Sequence, residues 1–266
     1  MFKDITIGQY IEGNSFIHKM DARVKILLSL IYIVILFLIS TPVAYALVFL
    51  LTAFLVWLSK LPVKYIIKGL KPMLYILIFT SILNLFMTHG GEVLWTCPFL
   101  PSLKITEQGL KTAILMVLRL SLLVVVTSLL TLTTSPLMLT DGIEKLLKPF
   151  EIIKVPAHEI AMMMTIAIRF IPTLSEETEK IIKAQTARGA DFESGNILKR
   201  AKAMIPLLVP LFISAFRRAD DLAVAMDSRC YHGGKNRTRM KQMKMTWRDG
   251  VAAIVLVLAS VLLLAI

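Results

Sequence analysis

Two segments in the second half of the chain end in an arginine between small residues, forty-one positions apart. They read Ala187-Arg188-Gly189 and Ser228-Arg229-Cys230. Small neighbours let a partner backbone approach closely, and the planar guanidinium can then reach past them to a carboxylate. A single end of this kind is more simply a solvated cation that the helix dipole favours. Two such ends in register favour a pair of contact sites for partner proteins outside the bilayer.

The sequence contains no combination of side chains that is typical of an enzyme. His158-Glu159 lacks the second histidine of a zinc-protease helix, and the other three histidines, His18, His89 and His232, are scattered along the chain. No phosphate-binding loop of the form G-x-x-x-x-G-K-S/T is present. We therefore expect this chain to bind no metal and no cofactor, and any ATP hydrolysis to belong to partner subunits.

The composition is that of a membrane protein. Hydrophobic residues make up 56% of the 266 residues, mean hydropathy is +0.73, and the formal net charge is nevertheless +12. A soluble surface could not accommodate so much apolar area, whereas a bilayer absorbs it. The basic residues are interspersed with acidic ones and flank the apolar runs, which does not favour nucleic-acid binding.

Five apolar runs approach the roughly 20 residues that a membrane-spanning helix needs. They are Val24–Ser40, Pro42–Leu58, Leu70–Met87, Leu110–Thr133 and Val251–Ile266. Two shorter runs, Ile160–Leu174 and Met204–Phe216, are interrupted by Arg169, Pro206 and Pro210. We interpret these two as the apolar halves of long, tilted helices that dip into the membrane interface and end in the cytosol.

The distribution of lysine and arginine predicts the orientation. Lys3, Lys19, Arg23 and Lys25 surround the start of the first run, and Lys60, Lys64, Lys68 and Lys71 lie between the second and the third. The connection 88–109 holds Lys104 as its one basic residue. The positive-inside rule therefore places the N-terminus and residues 134–248 in the cytosol and the C-terminus outside.

These observations predict an all-α integral membrane protein with about five transmembrane helices. Residues 1–133 would form the N-terminal tail and the first four of them, and residues 249–266 the last. Residues 134–248 would form a cytosolic and interfacial region with long amphipathic helices. Lys64–Leu74 and Asp141–Glu151 are predicted to be shorter interfacial helices. Pro172-Thr173 followed by Glu176 has capping-box spacing, which predicts a helix start or a kink there.

Three segments resemble the transmembrane component of energy-coupling factor (ECF) transporters, which are ABC-type importers of vitamins and trace metals. The segments are Ser15–Lys25, which precedes the first span, Arg169–Phe192 with its Ala-Arg-Gly sequence, and Ala215–Tyr231. The resemblance covers nearly the whole chain, and its segments occur in the same order as in that family. The second signature departs from Ala-Arg-Gly, because Ser228 and Cys230 flank its arginine.

The resemblance implies a scaffold in a bacterial cell membrane. Two ABC-type ATPase subunits, identical or different, would bind at Arg188 and Arg229 with their flanking residues and would carry ATP and Mg²⁺. A separate small membrane subunit would capture the substrate, a vitamin or similar micronutrient. ATP-driven movement of the ATPases would pass through the long helices to that subunit.

A methionine- and leucine-rich surface on the long helices is the candidate contact for the substrate-binding subunit. Its residues are Met162, Met163, Met164, Leu207, Leu208 and Leu211. Methionine's flexible, polarizable chain suits a surface that repacks against different partners. Plain burial against lipid is the simpler alternative, and the sequence leaves both open.

A self-contained secondary transporter is the rival interpretation. Such a protein needs ionisable or unwound sites near the bilayer midplane, usually in paired halves. The predicted spans offer Arg119 and Asn84, without an evident inverted repeat. Because an arginine is costly at a span centre, we expect Arg119 to face protein in a structural role.

Overall fold

A computed structural model describes residues 10–88, 90, 92–96, 104–192, 194, 196–234 and 243–265. Residues 89, 91 and 97–103 of the connection 88–109, predicted between the third and fourth spans, lie outside these ranges, as does Ile266 at the end of the predicted fifth span. The described residues form two compact units. One contains residues 10–142 and 243–265, and the other contains residues 143–234.

Both units consist mainly of α-helices. They are α1 (Ala22–Leu38), α2 (Pro42–Ser59), α3 (Val63–Leu70), α4 (Leu74–Met87), α5 (Glu107–Thr133), α6 (Pro136–Leu147), α7 (Ala157–Ala187), α8 (Ile197–Asp227) and α9 (Trp247–Ala265). Short 3₁₀ turns follow α3 at Lys71–Met73 and α6 at Lys148–Ile153. The strands β1 (Val93–Thr96) and β2 (Lys104–Thr106) form a small antiparallel pair, which the all-helical prediction did not include.

Within the described chain, three stretches are long and apolar enough to cross a bilayer. They are Pro42–Ser59, Val63–Met87 and Glu107–Thr133. The predicted second, third and fourth runs are therefore helical, and the third begins earlier than predicted. Its extension is the predicted amphipathic segment Lys64–Leu74, which continues through a single 3₁₀ turn at Pro72 into α4. The helices α1 and α9 coincide with the predicted first and fifth runs to within a few residues.

In the first unit, α1, α2, α5 and α9 share an apolar core. Its most buried members include Leu36, Tyr45 and Val48, and Leu122 and Leu256 join it from α5 and α9. The opposite faces of the same helices carry exposed large apolar side chains such as Trp57. A helix that is apolar on all sides fits burial in protein on one face and lipid on the other.

Arg119 holds three elements of this unit together. Its Nε donates to the Tyr45 hydroxyl at 2.7 Å, and its Nη2 donates to the Ile39 carbonyl at 3.1 Å. The guanidinium also lies over the rings of Phe37 and Tyr45. The prediction that Arg119 faces protein is therefore confirmed. Asn84, the other candidate for a transport site, donates to the Thr80 carbonyl of its own helix at 2.8 Å.

The helices α4 and α5 pack closely against each other as a hairpin, and the strand pair belongs to the connection between them. Thr106 caps α5 by accepting a hydrogen bond from the Gly109 N–H at 3.1 Å, and its hydroxyl donates to the Thr88 carbonyl at 2.9 Å. A Cβ at Gly109 would lie 2.9 Å from the Leu85 carbonyl oxygen. The end of α4 thus packs so tightly on the start of α5 that glycine is needed there.

A buried polar cluster joins the segment before α1 to the end of α5 and the start of α9. The Asp21 N–H donates to Asp249 at 2.8 Å, and the Asp21 carboxylate pairs with Arg23 at 2.7 Å. Lys25 donates to the Thr133 carbonyl at 3.0 Å and to the Thr134 hydroxyl at 3.2 Å. A cation at the C-terminal end of α5 also complements the helix dipole. The segment Ser15–Lys25 therefore has a structural role in this unit.

His18 belongs to the same segment and is held in place from both sides of its ring. Its Nδ1 lies 2.6 Å from the Ser15 hydroxyl, and its Nε2 lies 3.1 Å from the Ile11 carbonyl. Burial lowers the pKa of His18, and the nearby Lys25 charge acts in the same direction. Both effects favour a neutral ring.

The second unit contains the two longest helices of the described chain. Both α7 and α8 have 31 residues. Each runs without a break through its internal prolines, Pro172 in α7 and Pro206 and Pro210 in α8. The two short apolar runs are therefore parts of long helices, as predicted.

The capping box predicted at residues 173–176 is not formed. The helix α7 begins at Ala157, after Pro156, and continues through Pro172. The Thr173 hydroxyl donates backwards to the Phe170 carbonyl at 3.1 Å instead of capping a new helix start. Of the two predicted alternatives, a helix start or a kink, the helix start is therefore wrong.

The helices α7 and α8 pack against each other and run in opposite directions. Near the end of α7, the Gln185 side chain lies 3.4 Å from the Pro206 carbonyl in the first part of α8. Near the start of α7, the His158 ring lies against Gly234, just beyond the end of α8. The C-terminal ends of α7 and α8 consequently lie at opposite ends of the helix pair.

Candidate functional site at the ends of two long helices

Arg188 is the C-terminal cap of α7, and the chain turns sharply after it. The Ala190 N–H donates to the Gln185 carbonyl at 3.0 Å, and the Gly189 N–H donates to the Thr186 carbonyl at 3.0 Å. Gly189 has a φ of +87°. These two hydrogen bonds and the left-handed residue form a Schellman motif, which satisfies the last carbonyls of the helix.

The end of α8 repeats this geometry with every position shifted by forty-one. The Tyr231 N–H donates to the Met226 carbonyl at 3.1 Å, and the Cys230 N–H donates to the Asp227 carbonyl at 2.8 Å. Arg229 therefore occupies the same position in the second motif as Arg188 does in the first. We call these two helix ends, with Arg188 and Arg229, the arginine tips. The two arginines share one backbone geometry, which the sequence predicted only as a shared spacing.

Cys230 takes the left-handed position that Gly189 takes in the first motif, with a φ of +56°. A residue with a Cβ costs on the order of 1–2 kcal/mol in this conformation. The surrounding hydrogen bonds keep the turn in place despite that cost. The departure from Ala-Arg-Gly thus preserves the shape of the second tip and adds backbone strain and an exposed thiol.

Both arginine tips are open to solvent. Arg188, Arg229 and their small neighbours are all exposed. Neither arginine takes part in a salt bridge within the part of the chain that the structure describes. An exposed guanidinium between small residues can form two parallel hydrogen bonds with a carboxylate of a partner.

The predicted methionine- and leucine-rich surface is only partly exposed. Met163 and Leu208 are exposed, and Met162, Met164 and Leu211 are half-buried. Leu207 is only 7% exposed. Leu207 is therefore the least accessible member of the predicted surface, and its contact with a partner stays a prediction.

An exposed apolar stripe on α8 was missed in the sequence. It consists of Ile205, Val209, Phe212 and Phe216, which are all at least half exposed. Their spacing of four, three and four residues places them on one helix face. The helical periodicity was thus the signal that could have identified this stripe.

His158 pairs with Glu144 in the second unit, and its sequence neighbour Glu159 has no part in that contact. The Nδ1 of His158 lies 3.1 Å from a carboxylate oxygen of Glu144. Within the described residues, no group of three side chains could hold a metal ion. The pair thus links the end of α6 to the start of α7.

Comparison with known proteins places the chain in a family. Residues 13–240 match the family CbiQ, described as "Cobalt transport protein". The chain belongs to the CbiQ/EcfT family. It is 57% identical over 266 residues to the energy-coupling factor transporter transmembrane protein EcfT of Clostridium kluyveri, covering 98% of this chain and 97% of that protein.

Two further relatives carry the same name. The EcfT of Ruminiclostridium cellulolyticum is 56% identical over 249 residues, which are 94% of this chain and 92% of that protein. The EcfT of Bacillus subtilis is 45% identical over 263 residues, or 99% and 98% of the two chains. The chain thus belongs to a family of membrane transport proteins.

Proposed function

We propose that this EcfT-family chain is the scaffold that couples two ATPase subunits to a substrate-binding membrane subunit. Arg188 and Arg229 would each dock with acidic residues of one ATPase, and the two ATPases would form a homo- or heterodimer. The repeated Schellman geometry is the observation that carries the proposal. A surface that presents the same guanidinium twice, at opposite ends of one helix pair, suits two related partners.

The substrate-binding subunit would pack on the exposed apolar side chains of α7 and α8. Met163, Leu208 and the stripe from Ile205 to Phe216 support this, because exposed apolar patches mark interaction sites. ATP and Mg²⁺ would be bound by the ATPases. The substrate would be a vitamin or a similar micronutrient, held by the substrate-binding subunit.

The chain would cross a bacterial cell membrane five times, with its N-terminus in the cytosol. Residues 1–133 would contain four spans, residues 134–248 the cytosolic coupling helices, and residues 249–266 the last span. The lysine distribution supports this orientation. Arg119 and Asn84 both form hydrogen bonds within their own unit, which supports a structural role for them and favours the scaffold over a secondary transporter.

Replacing either tip arginine tests the docking. An acidic partner left buried and unpaired costs on the order of 2–5 kcal/mol, which corresponds to about 30-fold or more in affinity. We expect Arg188→Ala and Arg229→Ala each to weaken co-purification of the ATPases or to uncouple ATP hydrolysis from uptake. The matched control is Arg217→Ala, an exposed arginine of α8 away from the tip. Uptake at the wild-type level in the double tip variant would contradict the proposal.

A further inference from the structure

An ion pair joins the two long helices between the arginine tips. Arg218 Nη2 of α8 donates to Glu177 Oε2 of α7 at 2.8 Å, and both side chains are partly shielded from solvent. The two residues are forty-one positions apart. This is the same offset that relates Arg188 to Arg229.

The ion pair lies at equal distances along the helices from the two tips. Arg188 follows Glu177 by eleven residues, and Arg229 follows Arg218 by eleven residues. At about 1.5 Å per residue, each arginine lies about 16 Å along its helix from the pair. Because α7 and α8 run in opposite directions, the two tips point away from the ion pair on opposite sides.

Two further contacts of this helix pair constrain its register less closely than the ion pair does. The contact of Gln185 with the Pro206 carbonyl is a long neutral hydrogen bond, and the contact of His158 with Gly234 is one of packing. Apolar helix surfaces can pack in more than one register, and a single polar pair at the interface selects among them. A slip of one helical turn would move one tip by about 5.4 Å relative to the other.

We propose that the Glu177–Arg218 pair fixes the longitudinal register of α7 against α8 and so positions Arg188 and Arg229 for two ATPases at once. Glu177 and Arg218 are thus positioning residues that act through the two tip arginines. This inference rests on the proposed function, since it assigns the spacing that the two docking contacts require. In this arrangement both ATPases can drive the helix pair symmetrically, whereas a slipped pair engages one tip correctly and the other out of place.

Charge reversal with the whole transporter in membrane vesicles tests the inference. We expect Glu177→Arg or Arg218→Glu alone to lower the amount of substrate taken up per ATP hydrolysed by about threefold to fivefold, as expected for a partly exposed ion pair. The combined variant Glu177→Arg/Arg218→Glu restores the pair with its charges exchanged. It is expected to return the uptake-to-hydrolysis ratio to within about twofold of wild type.

The sequence offers a matched control one position earlier on each helix. Glu176 and Arg217 are also forty-one residues apart, are exposed, and form no salt bridge within the described residues. Glu176→Arg, Arg217→Glu and their combination carry the same charge changes and should leave the ratio unchanged. If a reversed charge prevents folding, the neutral variants Glu177→Gln and Arg218→Gln serve as the test instead. They are expected to lower the uptake-to-hydrolysis ratio less than the reversals do.

The outcomes separate this inference from the proposed function. The inference is supported if the single charge reversals lower the uptake-to-hydrolysis ratio and the combined variant Glu177→Arg/Arg218→Glu restores it. Single reversals that match the Glu176 and Arg217 controls, or losses that the exchange does not restore, overturn it while leaving the docking of Arg188 and Arg229 intact. If the double tip variant co-purifies with as much ATPase as the wild-type chain and also takes up substrate at the wild-type level, the proposed function itself fails.

Discussion

At the scale of single residues, the second tip shows that a turn can persist without its preferred amino acid. Cys230 adopts the left-handed conformation that Gly189 adopts in the first tip. Each residue and the one after it donate the same pair of helix-ending hydrogen bonds. The sequence predicted equivalent arginines and showed Cys230 only as a departure from the Ala-Arg-Gly signature. In the structure it is first a change in backbone strain.

Exchanging the residues at this position should change the stability of the two tips in opposite directions. We expect Cys230→Gly to stabilise the end of α8 by about 1 kcal/mol, because glycine removes the Cβ clash. We expect Gly189→Cys to destabilise the end of α7 by a similar amount. Hydrogen exchange of the amides of Cys230 and Gly189 measures both changes, and faster exchange in Cys230→Gly would contradict the strain argument.

At the scale of helices and strands, the apolar runs were sufficient to predict where the long helices lie. The capping box failed because Thr173 bonds back to its own helix, and a spacing rule cannot distinguish this from a helix start. The burial of Leu207 could not be predicted from the sequence either, since it depends on which face of α8 packs against other residues. The ion pair between Glu177 and Arg218 required knowing that α7 and α8 run in opposite directions.

The exposed and buried apolar residues of these helices predict different outcomes for the same substitution. We expect Met163→Glu or Phe212→Glu to lower uptake by weakening attachment of the substrate-binding subunit, with both ATPases still bound. Leu207→Glu should instead reduce the amount of folded protein, because it buries an unpaired charge. Pull-down of each subunit measures the first effect, and monodispersity in detergent measures the second. Loss of the ATPases with retention of the substrate-binding subunit would show that the apolar and arginine-bearing surfaces are assigned the wrong way round.

At the scale of the whole molecule, charge, apolarity and family membership agree on a transport protein in a membrane. The lysine-rich side of the predicted spans and the basic region 134–248 belong to one compartment under the positive-inside rule. The structure gives the helices of each unit, and the proposed topology relates them to the two sides of the membrane.

Cysteine labelling in intact cells tests that topology. In a chain with Cys97 and Cys230 replaced by serine, we expect Glu92→Cys to react with a membrane-impermeant maleimide from outside. Ser194→Cys should react only after the cells are opened, because residues 134–248 are predicted to be cytosolic. Labelling of Ser194→Cys in intact cells would contradict the five-span arrangement.

The most direct test of the coupling role is photocrosslinking from the two tips in the assembled transporter. A photoreactive amino acid at Ala187 or at Ser228 lies beside Arg188 or Arg229 on an exposed surface. We predict that each position alone crosslinks one ATPase subunit to this chain, and that both positions together crosslink two. Crosslinks from both positions to a single ATPase copy, or only to the substrate-binding subunit, would contradict the account.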